Sequence, residues 1–272
     1  MHILASEGAG DLARRAGVLQ NSAVQDDTAT AASATITVWQ VSGAEAKVAV
    51  PTVIEPPVDV PPSHVALAGA ISDAGAWPVK ENGRFVAEVA GLEVARVVNG
   101  DPGSPDTPVF EVGVGQADRE LTQMMHADAQ NSAGLRRVVA TVAKERTAGS
   151  HHPLARIARA RWLRSVALAH PELVGAHQLD PLPLLRASDS VSNDDPVAAV
   201  GVSPDGTPLV VLFAGNADLD LAAEAADYRE LHNPAAHVVV VSTPENAVFN
   251  QRGPALLTHA RFETMPAPWL SP

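Results

Sequence analysis

A run of carboxylates lies in Gly215–Asp227 (GNADLDLAAEAAD), directly after a predicted strand. Asp220, Glu224 and Asp227 are spaced i, i+4, i+7, so a helix places them on one face, and Asp218 precedes them. Exits from strand to helix are where α/β proteins tend to place ligands. Oxygen ligands of this kind suit Mg²⁺ or Mn²⁺, which serve phosphoryl and hydrolytic chemistry. The predicted metal ligands are therefore Asp218, Asp220 and Glu224.

The same acidic residues also have a structural interpretation. Asn216 or Asp218 would cap the helix, and acidic residues in its first turn would complement the helix dipole. Glu224 and Asp227 would then form a solvated face. Both interpretations predict a helix here, and they differ in whether the carboxylates serve a ligand.

Basic residues are concentrated between Arg136 and Arg164, where eight basic residues and one acidic residue give +7 and leave −19 for the rest of the chain. If its arginines lined one face, this segment would bind phosphate or nucleic acid, through Arg156, Arg159 and Arg164. A rotation of about 100° per residue instead scatters the arginines around a helix, and Trp162 falls on an apolar stripe. We therefore expect Trp162 to be buried and the arginines to pair with acidic residues of the same chain.

A third pattern is a strand that leaves through glycines into a helix, at Pro108–Leu121 (PVFEVGVGQADREL). Locally it resembles the first motif of class I S-adenosylmethionine methyltransferases, in which Glu-x-Gly-x-Gly brings the backbone close to the cofactor. The resemblance implies that Glu111, Gly113 and Gly115 contact S-adenosylmethionine. The structural alternative is an ordinary sheet strand followed by a helix that Asp118 caps.

Composition narrows the function classes. The chain of 272 residues has no cysteine, which excludes disulfides, thiolate metal sites and cysteine nucleophiles. It has no Walker loop, no G-x-S-x-G elbow and no H-E-x-x-H motif. A net charge of −12 argues against a nucleic-acid partner. With no secretory signal and no long apolar run, we expect a cytoplasmic protein without a membrane partner. The Arg, Ala, Val and Pro bias is typical of a high-GC bacterial genome.

The elements that must position these residues fall into three units, 1–60, 61–186 and 197–272, the last packed on the middle one. The first contains a hairpin of Thr35–Val41 and Lys47–Ile54, followed by the proline-rich linker Glu55–Pro62. The second contains a helix at Ser63–Ala74, a meander of Arg84–Val89, Leu92–Val98 and Val109–Val114, and helices over 117–127, 132–146 and 153–170. After a polar linker, Ala187–Pro196, the third contains a hairpin of Val197–Val202 and Leu209–Phe213, a helix at Asp218–Leu231 and a strand at Val238–Val241.

These elements predict an α/β protein of the α+β type, with a mixed, largely antiparallel sheet covered by helices, in one body or two subdomains. The leading hypothesis is a non-catalytic scaffold or regulatory protein with a protein partner or a homo-oligomeric state. The first alternative is an enzyme that uses Mg²⁺ or Mn²⁺ to act on a phosphorylated substrate or nucleic acid. The second alternative is an S-adenosylmethionine-dependent methyltransferase.

Overall fold

The computed structural model of the chain describes residues 1–25, 35–100, 107–125, 131–185, 194–218, 220–251, 257 and 259–271. Helices and three sheets, one of them antiparallel and two mixed, give the α+β fold that the sequence predicts. Within these residues, no helix combines the length and the apolar character needed to cross a membrane. How the chain divides into units stays a prediction.

The first sheet has the order β1-β2-β3, with β1 parallel to β2 and β3 antiparallel to β2. Its elements are β1 (His2–Ala5), α1 (Ala9–Gln25), β2 (Thr37–Ser42) and β3 (Glu45–Val48). One face packs on α1, where Ala9, Ala16 and Val38 are buried. The predicted hairpin is confirmed as β2 and β3, but β3 begins two residues earlier and ends six residues earlier than expected. Residues 49–61 form neither helix nor strand and are mostly exposed, as predicted for the proline-rich linker.

The second sheet is an antiparallel meander in the order β4-β5-β6-β7. Its strands are β4 (Trp77–Glu81), β5 (Arg84–Val89), β6 (Leu92–Asn99) and β7 (Pro108–Val112). The sequence predicted the last three and missed β4. The helices around it are α2 (Pro62–Val65) and α3 (Ala68–Asp73), which replace one longer predicted helix, then α4 (Gly115–Met125) and α5 (Ser132–Glu145). α5 buries Leu135, Val139 and Val142 in the same core as the sheet.

The third sheet is mixed and has the order β12-β11-β10-β9-β8, in which β10, β11 and β12 are parallel. Its elements are α6 (Arg159–Ala169), β8 (Gln178–Pro181), β9 (Val197–Val202), β10 (Pro208–Ala214), α7 (Leu221–His232), β11 (His237–Ser242), α8 (Ala247–Asn250) and β12 (Ala260–Thr264). The predicted hairpin of β9 and β10 is confirmed. Its two faces pack in separate cores, one with α6 and one with α7. Most of the linker predicted at 187–196 lies outside the described residues.

The helix predicted over 153–170 begins later than expected. Ala158 adopts the left-handed conformation (φ +49°), so Pro153–Arg156 forms a separate 3₁₀ turn and α6 starts at Arg159. Trp162 is buried, as predicted. Its ring lies 6.0 Å from that of Trp269.

Buried charges join α6 to the second sheet. Nη1 of Arg161 lies 2.6 Å from a carboxylate oxygen of Glu81 and 2.6 Å from one of Glu88. Nη2 of Arg164 lies 3.3 Å from both carboxylate oxygens of Glu88, and its Nη1 donates to the carbonyl of Leu182. Both glutamates are about as buried as the apolar core, and Arg164 is completely buried. The predicted pairing of arginines with acidic residues of the same chain is therefore confirmed for Arg161 and Arg164.

The turn between β5 and β6 lies directly on the backbone of α6. Ala90 and Gly91 both have positive φ, as the two central residues of a type I′ turn require. A Cβ at Gly91 would lie 2.2 Å from the carbonyl carbon of Arg161. The guanidinium of Arg146 donates to the carbonyl of Ala90 at 3.1 and 2.8 Å. Only glycine permits this approach of a hairpin to a helix.

We predict that Arg164→Met lowers the free energy of unfolding by about 3–5 kcal/mol, because Glu88 is left as a buried charge with one partner fewer. Urea unfolding of the full chain measures the change. The control is Arg156→Met, an exposed arginine of the preceding turn, which should change stability by less than about 0.5 kcal/mol.

A second variant tests the cause of that loss. Glu88→Gln combined with Arg164→Met removes both charges, so the double variant should unfold at higher urea concentration than Arg164→Met alone. Equal stability of Arg164→Met and Arg156→Met would show that the buried pair contributes nothing.

Candidate functional site

Two neighbouring cavities lie at the edge of the third sheet where its parallel strands end. β10 ends at Ala214 and β11 at Ser242, and β9, which runs antiparallel to them, begins at the same edge. One cavity has a volume of about 500 Å³ and the other about 450 Å³. Asp195, Pro196 and Asp218 line both of them. The carboxyl edge of parallel strands is the usual position for ligands in sheets of this kind.

The larger cavity lies between α1 and α7 and is lined mostly by charged side chains. Its carboxylates come from four separate parts of the chain and number seven, against two arginines. The carboxylates belong to Asp11, Glu55, Asp195, Asp218, Asp220, Glu224 and Asp227, and the guanidinium groups to Arg14 and Arg15. The structure therefore brings the predicted residues Asp218, Asp220 and Glu224 to one cavity.

The buried side-chain amide of Asn250, at the end of α8, fixes the loop that carries Asp218. Oδ1 of Asn250 accepts a hydrogen bond from the Asp218 amide at 2.9 Å. The Asn250 side-chain amide donates to the carbonyl of Asn216 and to Oγ of Ser242, both within 2.9 Å. Asp218 in turn accepts from the Asp220 amide at 2.7 Å, so its carboxylate fixes the turn that leads into α7. The position of Asp218 is thus set by the fold, and this residue lines both cavities.

Asp227 connects α7 to α1 through only one of its two carboxylate oxygens. One of its oxygens, Oδ2, accepts hydrogen bonds from Arg14 (3.0 Å) and from Nε and Nη2 of Arg15 (3.2 and 3.0 Å). Asp227 is only 5% exposed, yet its other oxygen, Oδ1, has no hydrogen-bond partner in the described part of the chain. Nε and Nη1 of Arg14 are buried without a partner in the same way. Buried polar groups are normally hydrogen-bonded, so this wall of the cavity has unused bonding capacity.

Glu224 lies one turn before Asp227 on the same face of α7. Its carboxyl group makes no hydrogen bond or ion pair with any described residue. Burial raises the pKa of Glu224 to about 7, and the negative charge of Asp218 adds to the shift. At neutral pH this carboxyl group is therefore divided between its protonated and ionised forms.

The predicted metal ligands share a cavity but do not form a metal site in the described structure. No group of three or more histidine, aspartate or glutamate side chains among the described residues is arranged to hold a metal ion. One oxygen of Asp218 is already bonded to the Asp220 amide. Divalent ions require several oxygens around a single point, whereas these carboxylates are spread over the wall of a large cavity.

The arginines proposed for anion binding are not brought together. Arg156 is exposed in the 3₁₀ turn, and Arg164 is completely buried against Glu88. The guanidinium of Arg159 lies 5.2 Å from the centre of the Trp269 ring. None of the three lines either cavity. Arg164 in particular cannot belong to an open surface, because no part of it reaches solvent.

The glycine-rich turn of the methyltransferase-like motif has a structural role. Its strand, β7, is an edge strand of an antiparallel sheet, whereas ligand-binding turns of that type leave the carboxyl ends of parallel strands. A Cβ at Gly113 (φ +144°) would lie 2.8 Å from the Arg119 amide nitrogen, so the turn needs a glycine. Asp118 accepts from the Val114 amide at 2.7 Å, as the structural alternative expects. Glu111, Gly113 and Gly115 line neither cavity.

The sequence missed the residues that α1 contributes. Arg14 and Arg15 reach Asp227 across more than 200 positions, and no local pattern marks them as partners. Asp227 itself was placed correctly on one face with Glu224 by its helical spacing. Comparison with protein-family models, with curated proteins and with solved structures gives no match for the chain. The function of the chain is therefore inferred from the geometry of the cavity.

We predict that Glu224→Gln stabilises the protein at alkaline pH and not at acidic pH. Below pH 4.5 the carboxyl group is protonated in both the folded and the unfolded chain, so the substitution changes little. Between pH 4.5 and about 7 the unfolded chain loses this proton while the folded chain keeps it, so stability falls as the pH rises. At about pH 8 the variant should be more stable than the natural chain by about 2–3 kcal/mol.

Urea unfolding across this pH range measures the difference. Glu230→Gln serves as the control, because Glu230 is exposed on the same helix and should show no comparable dependence on pH. A Glu224→Gln effect that is the same at every pH would contradict the raised pKa.

Proposed function

We propose that this protein is a non-catalytic regulatory protein that binds a small organic amine in the cavity between α1 and α7. The observation that carries the proposal is a cavity where carboxylates outnumber arginines by seven to two, beside buried Asp227, whose Oδ1 has no hydrogen-bond partner among the described residues. A volume of about 500 Å³ is within the range of small-molecule sites. An ammonium group offers several N–H donors and a positive charge, which is what these acceptors lack.

The spread of the carboxylates favours an organic cation over a bare metal ion. An amine with one or more ammonium groups can bond one or two carboxylates at each nitrogen, at about 2.7–2.9 Å. Glu224 and Asp218 are the best placed, because the Glu224 carboxyl group has no hydrogen bond to any described residue and Asp218 is held by the Asn250 side chain. A bound cation would also lower the pKa of Glu224, since a positive charge favours the ionised carboxylate.

The lining of the cavity supports binding over covalent chemistry by a hydroxyl, thiol, imidazole or amine nucleophile. Its described side chains are carboxylates, two guanidinium groups and apolar groups, without a hydroxyl, thiol, imidazole or amino group. A covalent mechanism would need an activated nucleophile with a base beside it. Titration with metal ions distinguishes amine binding from the metal-dependent enzyme that the sequence also suggested.

The proposed regulation would act through the contact that holds α1 against α7. Arg14 and Arg15 join α1 to α7 through a single oxygen of Asp227, and all three residues line the cavity. A cationic ligand beside Asp227 competes with these arginines and repels them. Since α1 packs on the first sheet, ligand binding would change how that sheet is held against the rest of the protein.

The test is calorimetric titration and thermal unfolding of the full chain with 1,4-diaminobutane and spermidine at fixed ionic strength. Both amines should raise Tm and bind the natural chain, because a ligand of the native state stabilises it. Glu224→Gln and Asp218→Asn should each weaken binding by about tenfold or more, as expected for the loss of a charged acceptor. Asn at position 218 keeps an oxygen that can accept the hydrogen bond from the Asp220 amide.

Glu230→Gln is the matched control, an exposed carboxylate on the same helix, and it should bind the amines like the natural chain. Titration with MgCl₂, MnCl₂ and inorganic phosphate separates the alternatives. No response to either amine, or a response that Glu224→Gln leaves unchanged, contradicts the proposal. A response to Mg²⁺ or Mn²⁺ alone that requires Asp218, Asp220 and Glu224 would instead support the metal-dependent enzyme.

A further inference from the structure

β3 is an edge strand with one side unpaired. It bonds to β2 along one edge, and all four of its side chains, Glu45–Val48, are exposed. No strand in the described part of the chain pairs with its other edge. An exposed strand edge is a template for another strand, and proteins usually protect such edges.

The turn that precedes β3 determines which backbone groups point outward. Ser42 and Glu45 close a two-residue turn, and the Ala49 amide donates to the Val38 carbonyl at 2.8 Å. Hydrogen-bonded pairs alternate along an antiparallel ladder, so Glu45, Lys47 and Ala49 direct their backbone groups toward β2. The N–H and C=O groups of the residues between them, Ala46 and Val48, therefore point away from the sheet.

The charges on β3 are complementary to those of a second β3 strand that runs antiparallel to it. Glu45 and Lys47 flank Ala46 and lie on one face of the sheet, with side chains 77% and 82% exposed. They form a pair with each other at 3.7 Å, which at this exposure is worth about 0–1 kcal/mol. Replacing this ion pair within one chain by ion pairs between two chains therefore costs little free energy.

We propose that β3 is a dimerisation edge, on which a second copy of this chain pairs antiparallel about a two-fold axis at Ala46. Ala46 and the partner subunit's Ala46 exchange N–H and C=O hydrogen bonds at the axis, and Val48 lies opposite the turn that precedes the partner's strand. Glu45 then lies directly opposite the partner subunit's Lys47, and the symmetry repeats this pair. The two three-stranded sheets become one sheet of six strands.

Other registers either leave the free backbone groups of β3 unused or do not place Glu45 opposite Lys47. A shift that places the axis between two residues sets outward backbone groups against groups already bonded to β2. An axis at Val48 places Glu45 opposite the partner subunit's Pro51, which has no N–H and no charge. An axis at Ala44 leaves Glu45 opposite the partner subunit's Gly43. Only the axis at Ala46 uses the free backbone groups and forms the two ion pairs.

The charges on β3 differ from those that protect an edge. Charges of one sign, usually lysines, prevent pairing because they repel their copies. Glu45 and Lys47 instead attract their copies in the register that the backbone selects. Val48, 58% exposed, becomes partly covered by the partner strand. The contact is short, so we expect the dimer to exchange rapidly with the monomer.

Sedimentation velocity of the full chain, from about 10 to about 500 μM, tests the proposal. The natural chain should change from monomer to dimer over this range. Glu45→Lys and Lys47→Glu should each raise the dissociation constant by about tenfold or more, because each places like charges opposite one another. Glu7→Lys is the control, since it changes the same charge at another exposed position and should leave the dimer intact.

Two further samples separate pairing from general charge effects. The exchange variant Glu45→Lys with Lys47→Glu restores opposite charges across the axis and should dimerise like the natural chain. An equal mixture of the two single variants should form heterodimers although neither forms homodimers. A natural chain that stays monomeric throughout, or a dimer that both single variants retain, overturns the proposal. Amine binding plays no part in these measurements, so they are independent of the proposed function.

Discussion

The assembly of the two larger sheets depends on a buried cluster in which Arg161 and Arg164 of α6 face Glu81 and Glu88 of the second sheet. α6 buries its apolar side in the third sheet, so its other side must meet the second sheet with charges. Removing these charges from water is costly, and only close pairing in one orientation offsets the cost. The cluster therefore fixes how the sheets are oriented more than it holds them together. It also accounts for part of the basic excess between residues 136 and 164.

The contact between α1 and α7 has a different character. In the first cluster each carboxylate bonds an arginine, whereas here two arginines share one oxygen of Asp227 and no described residue bonds the other oxygen. An incompletely bonded contact is easier to open, because less is lost when it separates. The protein thus combines a rigid joint around α6 with a weaker one around α1. The cavity lies at this less completely bonded contact, where the proposed amine would act.

Local patterns predicted the parts of this fold that local chemistry determines. Turn residues such as Ser203–Gly206 and strong apolar periodicity located β5, β6, β9, β10 and most helices, because adjacent strands need only a turn between them. The sequence missed β1, β4, β8 and β12, which are edge strands with weak patterns and, for β1 and β12, partners distant in sequence. The site shows the same limit. Helical spacing placed Glu224 and Asp227 on one face, but nothing local could assign Arg14 to Asp227.

Gly91 carries a consequence for how this protein can vary. Its backbone lies against the backbone of α6, so the distance between the second sheet and α6 is set by the absence of a side chain. Any other residue would move the hairpin outward and draw Glu88 away from Arg164. An uncharged residue that lines neither of the two described cavities would therefore tolerate substitution as poorly as the charged residues of the cluster. In related chains we expect this glycine and the two glutamates to be retained or lost together, as one inherited unit.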